Sequence, residues 1–484
     1  MTLRLGVALL VIALHAGGEA NRWPQYRGPA GAGISETAAA VEFGPKQNLL
    51  WSAALPSGHS SPSIWDDHLF LTSFDSGAKK LELLAFDRRN GKLRWRQEIP
   101  ATKIEEVHAV SSPATATPIV DGERVYVYFG SAGVFCYGFD GKLVWSKPMP
   151  TANATFGSGT SPILVDDALI LARDDGERRH MVAFERKTGK VLWEIKMAAL
   201  GRGGHSTPVA ANGQVILHRP DEIAAYDVRN GSRVWGLKVQ SHGTGTPVVH
   251  GDTLFVGAWG LEADLRDPVP DWDALLKKYD KDGNGQVSQN EFPDELAIVR
   301  RVDGEKISGA VVTYKRFFGG MDSDKNGQLS KSEWENIQKF IGQPPTAPGG
   351  LLAIRMGGGK DVTEKSVAWS EARAVPEVPV PLVYRDRVYT VTNGGIVTVL
   401  DEATGKLIYR GRLGAAGMYY SSPVAAGGNI YFASGDGVIT VLRAGDKLDV
   451  AARNDLGEPI FATPAILDGR LYVRTTGHLY AFGR

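Results

Sequence analysis

The chain has 484 residues, enough for one large core or several domains. Lys and Arg number 54 and Asp and Glu also 54, so no charge excess favours nucleic acid or an anionic membrane surface as a partner. The 58 glycines and 26 prolines point to many short strands joined by tight turns, and the only cysteine, Cys136, excludes an intrachain disulfide.

Residues 1–20 read as a secretory signal. Arg4 supplies the positive start, Leu5–Leu14 is an apolar run too short to span a bilayer, and Gly18-Glu19-Ala20 offers small residues for cleavage after Ala20. No later stretch is apolar enough to span a membrane, so a periplasmic, secreted or cell-surface protein is expected. Asn48-Leu-Leu-Trp51 then reads as an isolated strand ending in an aromatic.

From there a unit recurs: an acidic residue, a turn glycine, and an aromatic four positions after the glycine. It occurs as Asp87…Gly91…Trp95, Asp140-Gly141…Trp145, Glu185…Gly189…Trp193, Asp227…Gly231…Trp235 and Asp401…Gly405…Tyr409. Glycine supplies the positive φ of the turn, and the acid or a nearby Thr hydrogen-bonds the turn backbone. Each unit opens on Ser/Thr-Pro: Ser61-Pro62, Ser112-Pro113, Ser161-Pro162, Thr207-Pro208, Thr246-Pro247, Ser422-Pro423 and Thr463-Pro464. The aromatics at 95, 145, 193 and 235 step by 40 to 50 residues, the length of a four-stranded propeller blade. The expected fold is all-β. It is an eight-bladed β-propeller of four-stranded blades, with seven as the alternative count. The units lie at 59–97, 110–147, 160–195, 205–237, 243–370, 380–410 and 421–449. Three strands in 461–482 form the eighth blade, which Asn48–Trp51 completes.

Four histidines precede inner strands: His59, His108, His205 and His242. They form a candidate ligand site at the channel mouth, for a metal or an anionic ligand, with Tyr419, Tyr420 and Phe461 at the matching places in other blades. The plainer reading is that each histidine bonds its own turn.

Trp235 and Trp369 lie 134 residues apart, so unit five is interrupted. Inside the gap are two twelve-residue loops with the spacing of calcium-binding EF-hands. The first offers Asp280, Asp282, Asn284, Gln286, Ser288 and Glu291, and the second Asp322, Asp324, Asn326, Gln328, Ser330 and Glu333. Hard oxygens at positions 1, 3, 5, 7, 9 and 12 wrap one Ca2+, with glycine at position 6 making the sharp turn. Two calcium sites are expected. Val287 and Leu329, both at position 8, should pair as a short β-bridge, and the pair of hands is a helical insertion. The expected division is a signal peptide at 1–20, propeller at 21–258, EF-hand pair at 259–348 and propeller again at 349–484. The insertion should leave from the face that carries the histidines.

The repeat resembles the pyrroloquinoline-quinone-type propeller motif, Ala-x-Asp-x-x-Thr-Gly-x-x-x-Trp, and Trp23-Pro-Gln-Tyr-Arg27-Gly-Pro29 is similar to the start of exported bacterial members of that superfamily. The resemblance covers nearly the whole mature chain. It implies the propeller, and it admits quinoprotein dehydrogenases, BamB-type assembly proteins and other exported proteins. The alcohol-oxidising relatives use adjacent cysteines over the quinone, and this chain has one cysteine. BamB-type proteins carry a lipid on a cysteine after the signal, which is also missing here. The expectation is therefore an exported calcium-binding propeller that acts as a binding or scaffold protein without quinone. Its partner is a protein or small molecule at the propeller face. The alternative is a quinone-dependent dehydrogenase or another enzyme acting at the channel mouth.

Overall fold

The computed structural model describes residues 22–154, 156–175, 178–198, 204–260, 269–300, 311–341, 347–357, 362–373 and 375–483. The segment expected to be a signal peptide, 1–20, lies outside them. Eight antiparallel sheets form a ring, which settles the blade count at eight. The inner strands, blade by blade, are Ser63–Trp65, Ile119–Val120, Ile163–Val165, Val209–Ala211, Val248–His250, Leu382–Val383, Val424–Ala426 and Ala465–Leu467. In blade four the second and third strands merge into one bent element, Gln214–Asp227. Leu49–Ala54 pairs antiparallel with His478–Phe482 and supplies the outer strand of blade eight, as the isolated aromatic-ended strand predicted. The insertion sits between the second strand of blade five, Thr253–Ala258, and the third, Gly350–Arg355, which pair directly. The outer strand of blade seven, Val450–Asp455, lacks the aromatic signature, so the repeat pattern ended that unit too early.

Two ladders of contacts explain why the repeat takes this form. Each anchor tryptophan packs on the turn glycine of the next blade: Trp51 on Gly91, Trp95 on Gly141, Trp145 on Gly189, Trp193 on Gly231 and Trp369 on Gly405. At Gly189, with φ +70°, a Cβ would lie 2.7 Å from the Trp145 ring, so both the turn and the packing need glycine. The indole N–H of each donates to a carbonyl of the same neighbour, as Trp145 Nε1 does to Arg186 O at 2.9 Å. Trp235 faces the interrupted blade and donates instead to Gln214 Oε1.

The Ser/Thr before each opening proline builds the second ladder. Its hydroxyl accepts the main-chain N–H of the matching residue in the preceding blade. The series runs Ser61 to Thr117, Thr117 to Ser161, Ser161 to Thr207, Thr207 to Thr246, Val380 to Ser422, Ser422 to Thr463, and Thr463 back to Ser61, at 2.9–3.1 Å. The register corrects one sequence assignment. Blade two opens on Thr117-Pro118, not on Ser112-Pro113, because it is the Thr117 hydroxyl that meets Ser61. Val380 holds the position in blade six and has no hydroxyl to offer.

The segment Arg22–Ser35 plugs the central channel, a feature no local pattern announced. Arg22 and Trp23 pair antiparallel with Trp65 and Ile64 of blade one, and Pro24 O accepts Val120 N–H of blade two. The chain then reverses and Ile34–Ser35 runs parallel to Ala425–Ala426 of blade seven. At the reversal Arg27 is fully buried in the left-handed region, φ 61°. Its guanidinium donates to the carbonyls of Gly31, Ala32, Pro381 and Pro423 at 3.0–3.2 Å, and to that of Val380 at 3.5 Å. Burial without a carboxylate brings its pKa down to about 10. Arg27→Met keeps much of the volume and strips those carbonyls of their donor. It should cost about 3–5 kcal/mol, read as a lower denaturation midpoint at unchanged slope.

Candidate functional site

The EF-hand insertion has its own core. Trp272 and Leu275 from the first helix (Trp272–Tyr279) meet Phe292, Tyr314, Phe318 and Trp334, the last from the helix Lys331–Ile341. Asp271 caps the first helix by accepting Ala274 N–H at 2.7 Å. Val287 pairs with Leu329, and both are fully buried, so the two loops are joined back to back as the sequence predicts.

In each loop the acids converge. Carboxylate oxygens of Asp280, Asp282 and Glu291 lie within 4.8 Å of one another, as do those of Asp322, Asp324 and Glu333. Main-chain N–H groups hold them in place. Asp280 accepts Gly283 N–H at 2.8 Å and Gly285 N–H at 2.9 Å, and Asp322 accepts Gly327 N–H at 2.8 Å. Asn284 and Asn326 present their side-chain oxygens to the N–H of Gln286 and Gln328. Ser288 N–H and Oγ both donate to Glu291, whose carboxyl falls to about 2 through these bonds and that from Lys281 N–H. For Glu333 burial pushes the other way, but the bonds from Ser330 and Ser323 outweigh it, and it too falls to about 2. Both glutamates are therefore anionic at neutral pH. The second loop is the more enclosed: Asp322 and Glu333 are buried, whereas their counterparts are not. The donor set is all hard oxygen and fits Ca2+.

The four histidines do not assemble into one ligand group. Among the described residues the clusters of three or more metal-binding side chains are the two EF-hand loops alone. His59 stacks on Phe461, 4.2 Å between centroids and 13° between planes, and Phe461 packs on Tyr420. Burial, and then the charge of Arg474, lowers the His59 pKa to about 3, so its ring is neutral. His108 and His205, which precede the inner strands of blades two and four, both contact Phe156. Burial lowers the His205 pKa as well. His242 packs on Trp259 and donates its main-chain N–H to Trp259 O. Trp259 follows directly on the blade-five strand, so the chain leaves that strand beside His242. Tyr419 is not part of this mouth. It is buried and its hydroxyl bonds Ala415 O, which corrects the sequence reading.

Sequence reasoning missed Glu105 in the same rim. It is buried, accepts Ser158 N–H and Oγ at 3.0 Å, and burial raises its carboxyl to about 7. Nothing local marks it, because Ser158 is brought to it from the next blade. Cys136 is buried inside blade two, with its thiol raised to about 12. No helix among the described residues is long and apolar enough to cross a membrane.

The comparisons agree with this architecture. The EF hand family profile matches residues 273–293, the first loop and its flanks. No curated protein sequence matches the chain. Among solved structures, BamB from Moraxella catarrhalis is similar at 14% identity and a TM-score of 0.52, over 90% of this chain and 98% of that one. The quinohemoprotein alcohol dehydrogenase of Comamonas testosteroni is similar at 12% identity and a TM-score of 0.55, over 96% and 81%. A europium-containing methanol dehydrogenase is similar at 12% and 0.55, over 96% and 99%. At these identities the likeness is one of fold. The outer membrane protein assembly factor BamB profile, however, matches residues 40–267 and 319–452, and the chain belongs to that family.

Proposed function

We propose that the protein is an exported, calcium-binding propeller that binds a partner rather than catalysing a reaction. Residues 1–20 direct export to the periplasm or cell surface and are removed. Propeller segments 21–258 and 349–484 hold the EF-hand pair, 259–348, beside the channel mouth. One Ca2+ sits in each loop, held by Asp280, Asp282, Asn284, Gln286, Ser288 and Glu291 in the first. Asp322, Asp324, Asn326, Gln328, Ser330 and Glu333 hold the second. The observation that carries this reading is the pair of pre-folded, anionic oxygen clusters in a module with its own core. The mouth around His59, His108, His205 and His242, with its stacked Phe461 and Tyr420, is the surface offered to a protein or small molecule. The family's description as an assembly factor supports a protein partner.

The quinone reading is weaker on the residues present. The lone cysteine lies inside a blade, and the acid clusters that suit a cation lie in the insertion. The test is reconstitution with pyrroloquinoline quinone, with and without Ca2+, against a panel of alcohols and sugars using a dye acceptor. No turnover above the unreconstituted protein is expected. Robust quinone-dependent turnover that disappears in a Tyr420→Ala or His59→Ala variant would establish the enzyme reading instead.

A further inference from the structure

Beside the plug the central channel keeps a cavity of about 330 Å3. Arg22, Gln25 and Tyr26 of the plug form one wall, and the inner strands of blades three and four form the other. The chain treats its inner edges unequally. Blade one is capped by Arg22–Trp23, blade two by the bond from Val120 N–H to Pro24 O, and blade seven by Ile34–Ser35. In blades three and four, among the described residues, Ile163–Val165 and Val209–Ala211 make main-chain hydrogen bonds only within their own sheets. Exposure follows the same division. Val424–Ala426 of blade seven is buried throughout, whereas Val209 and Ala211 are half-buried and Ala210 is exposed.

An open strand edge is a template for another strand, and this chain already adds a strand to that template twice in the same channel, at blades one and seven. The free wall is apolar, with Ile163, Leu164 and Val209 facing the space. Two cations line it, Arg27, whose guanidinium is engaged by blade carbonyls, and Arg22. The Arg22 guanidinium lies 4.6 Å above the Trp65 ring and makes no ion pair among the described residues. With a 3.3 Å rise, 4.8 Å strand spacing and ~10 Å layer thickness, the cavity corresponds to roughly two residues of extended chain. That is room for a short stretch of extended chain such as a chain end.

We propose that this cavity receives the extended, apolar C-terminal tail of a partner protein, added as a strand to the inner edge of blade four. The tail runs parallel to Val209–Ala211, as Ile34–Ser35 runs along blade seven. Its terminal carboxylate meets Arg22, which is level with the last residue of blade one's inner strand. Main-chain bonds to the strand give affinity, the aliphatic wall selects small branched side chains, and the guanidinium selects the free carboxylate. The site is separate from the calcium loops.

The probe is a fluorescein-labelled hexapeptide ending Val-Leu-Val with a free carboxylate, titrated by polarisation against the full mature protein. Saturable binding is expected, unchanged between EDTA and Ca2+. C-terminal amidation should weaken it about tenfold or more, since a carboxylate–guanidinium bond exceeds a neutral one by that order. Arg22→Gln should abolish the difference between acid and amide. N-methylation of the last two amides should weaken binding about tenfold on the unmodified protein, because it removes strand donors while keeping the apolar groups. Ala210→Trp fills the cavity and should abolish binding. No saturable binding at millimolar peptide would overturn the proposal. Equal binding of the N-methylated peptide, or of a version extended beyond the Val-Leu-Val end, would do the same. So would a copurifying small molecule, seen by native mass spectrometry, that Ala210→Trp expels.

Discussion

A protein beginning at residue 55 will melt about 6–10 °C below one beginning at residue 21, and will aggregate on heating. The deletion removes the outer strand of blade eight, including Trp51, whose indole packs on Gly91 and donates to Arg88 O of blade one. It also removes Arg27, which holds blades six and seven together through Val380, Pro381 and Pro423. Truncating a buried tryptophan costs about 3–5 kcal/mol and removing the plug arginine about as much again. In a chain of this size 1 kcal/mol moves the melting temperature by roughly 1 °C. The exposed edge of His478–Phe482 would then be an unpaired, largely buried-type strand, a ready site for association between chains. Calorimetric scans and light scattering are the measurements. A protein lacking only 22–35 separates the two contributions: it keeps the closing strand and should lose roughly half the shift, without aggregating. Equal stability of the protein beginning at residue 55 would show that the ring closes without its N-terminal strand.

Glu291→Gln and Glu333→Gln will each remove one of two calcium sites in titration calorimetry, and the double variant will show no calcium heat. The glutamate at position 12 supplies two oxygens to the ion, and an amide offers one neutral oxygen in their place. Affinities between ~10⁻⁶ and ~10⁻³ M are expected for exported EF-hands. The loop from Asp322 to Glu333 should be the tighter of the two, because its end carboxylates are buried and those of the first loop are more exposed. The heats should not depend on the buffer between pH 6 and 8. Both glutamates have carboxyls lowered to about 2, so they are already deprotonated and calcium displaces no proton from them. Their stabilising hydrogen bonds are likewise lost only as the pH falls from the ordinary carboxylate range towards 2. At a hundredfold excess over Kd, calcium adds about 2.7 kcal/mol to a unit that binds one ion only when folded. Since the insertion has a core of its own, that gain belongs to it: EDTA should raise hydrogen exchange in 269–300 and 311–341 and leave the blades protected. A single calcium event, or exchange that rises throughout the propeller, would contradict this.

The sequence alone determined what local chemistry determines. The Gly-x-x-x-Trp spacing is a turn followed by a strand, and its physical content, positive φ and an anchor at a set distance, survives intact in the contact of Trp145 with Gly189. The oxygen ladder from Asp280 to Glu291 is read within twelve residues, so both loops and their pairing through Val287 and Leu329 were legible. The isolated strand ending at Trp51 was legible because the last blade was one strand short.

What only the tertiary structure decided are the contacts between residues far apart in the chain. Thr117 rather than Ser112 opens blade two because the next hydroxyl in the ring must meet Ser61, a geometric condition that two similar Ser/Thr-Pro pairs cannot distinguish locally. Tyr419 fits the same sequence position as Tyr420, yet one side chain points into a blade and the other to the mouth, since successive residues of an extended chain face opposite ways. The histidines recur in sequence, but the fold packs them on aromatics from elsewhere in the chain, His59 on Phe461, His108 and His205 on Phe156, and His242 on Trp259. The plug was the largest omission. Arg27 lies 353 to 396 residues from the blade carbonyls it bonds, and its left-handed backbone and buried charge exist only because two distant blades surround it. The cavity beside it is set in turn by how far that plug extends across the channel.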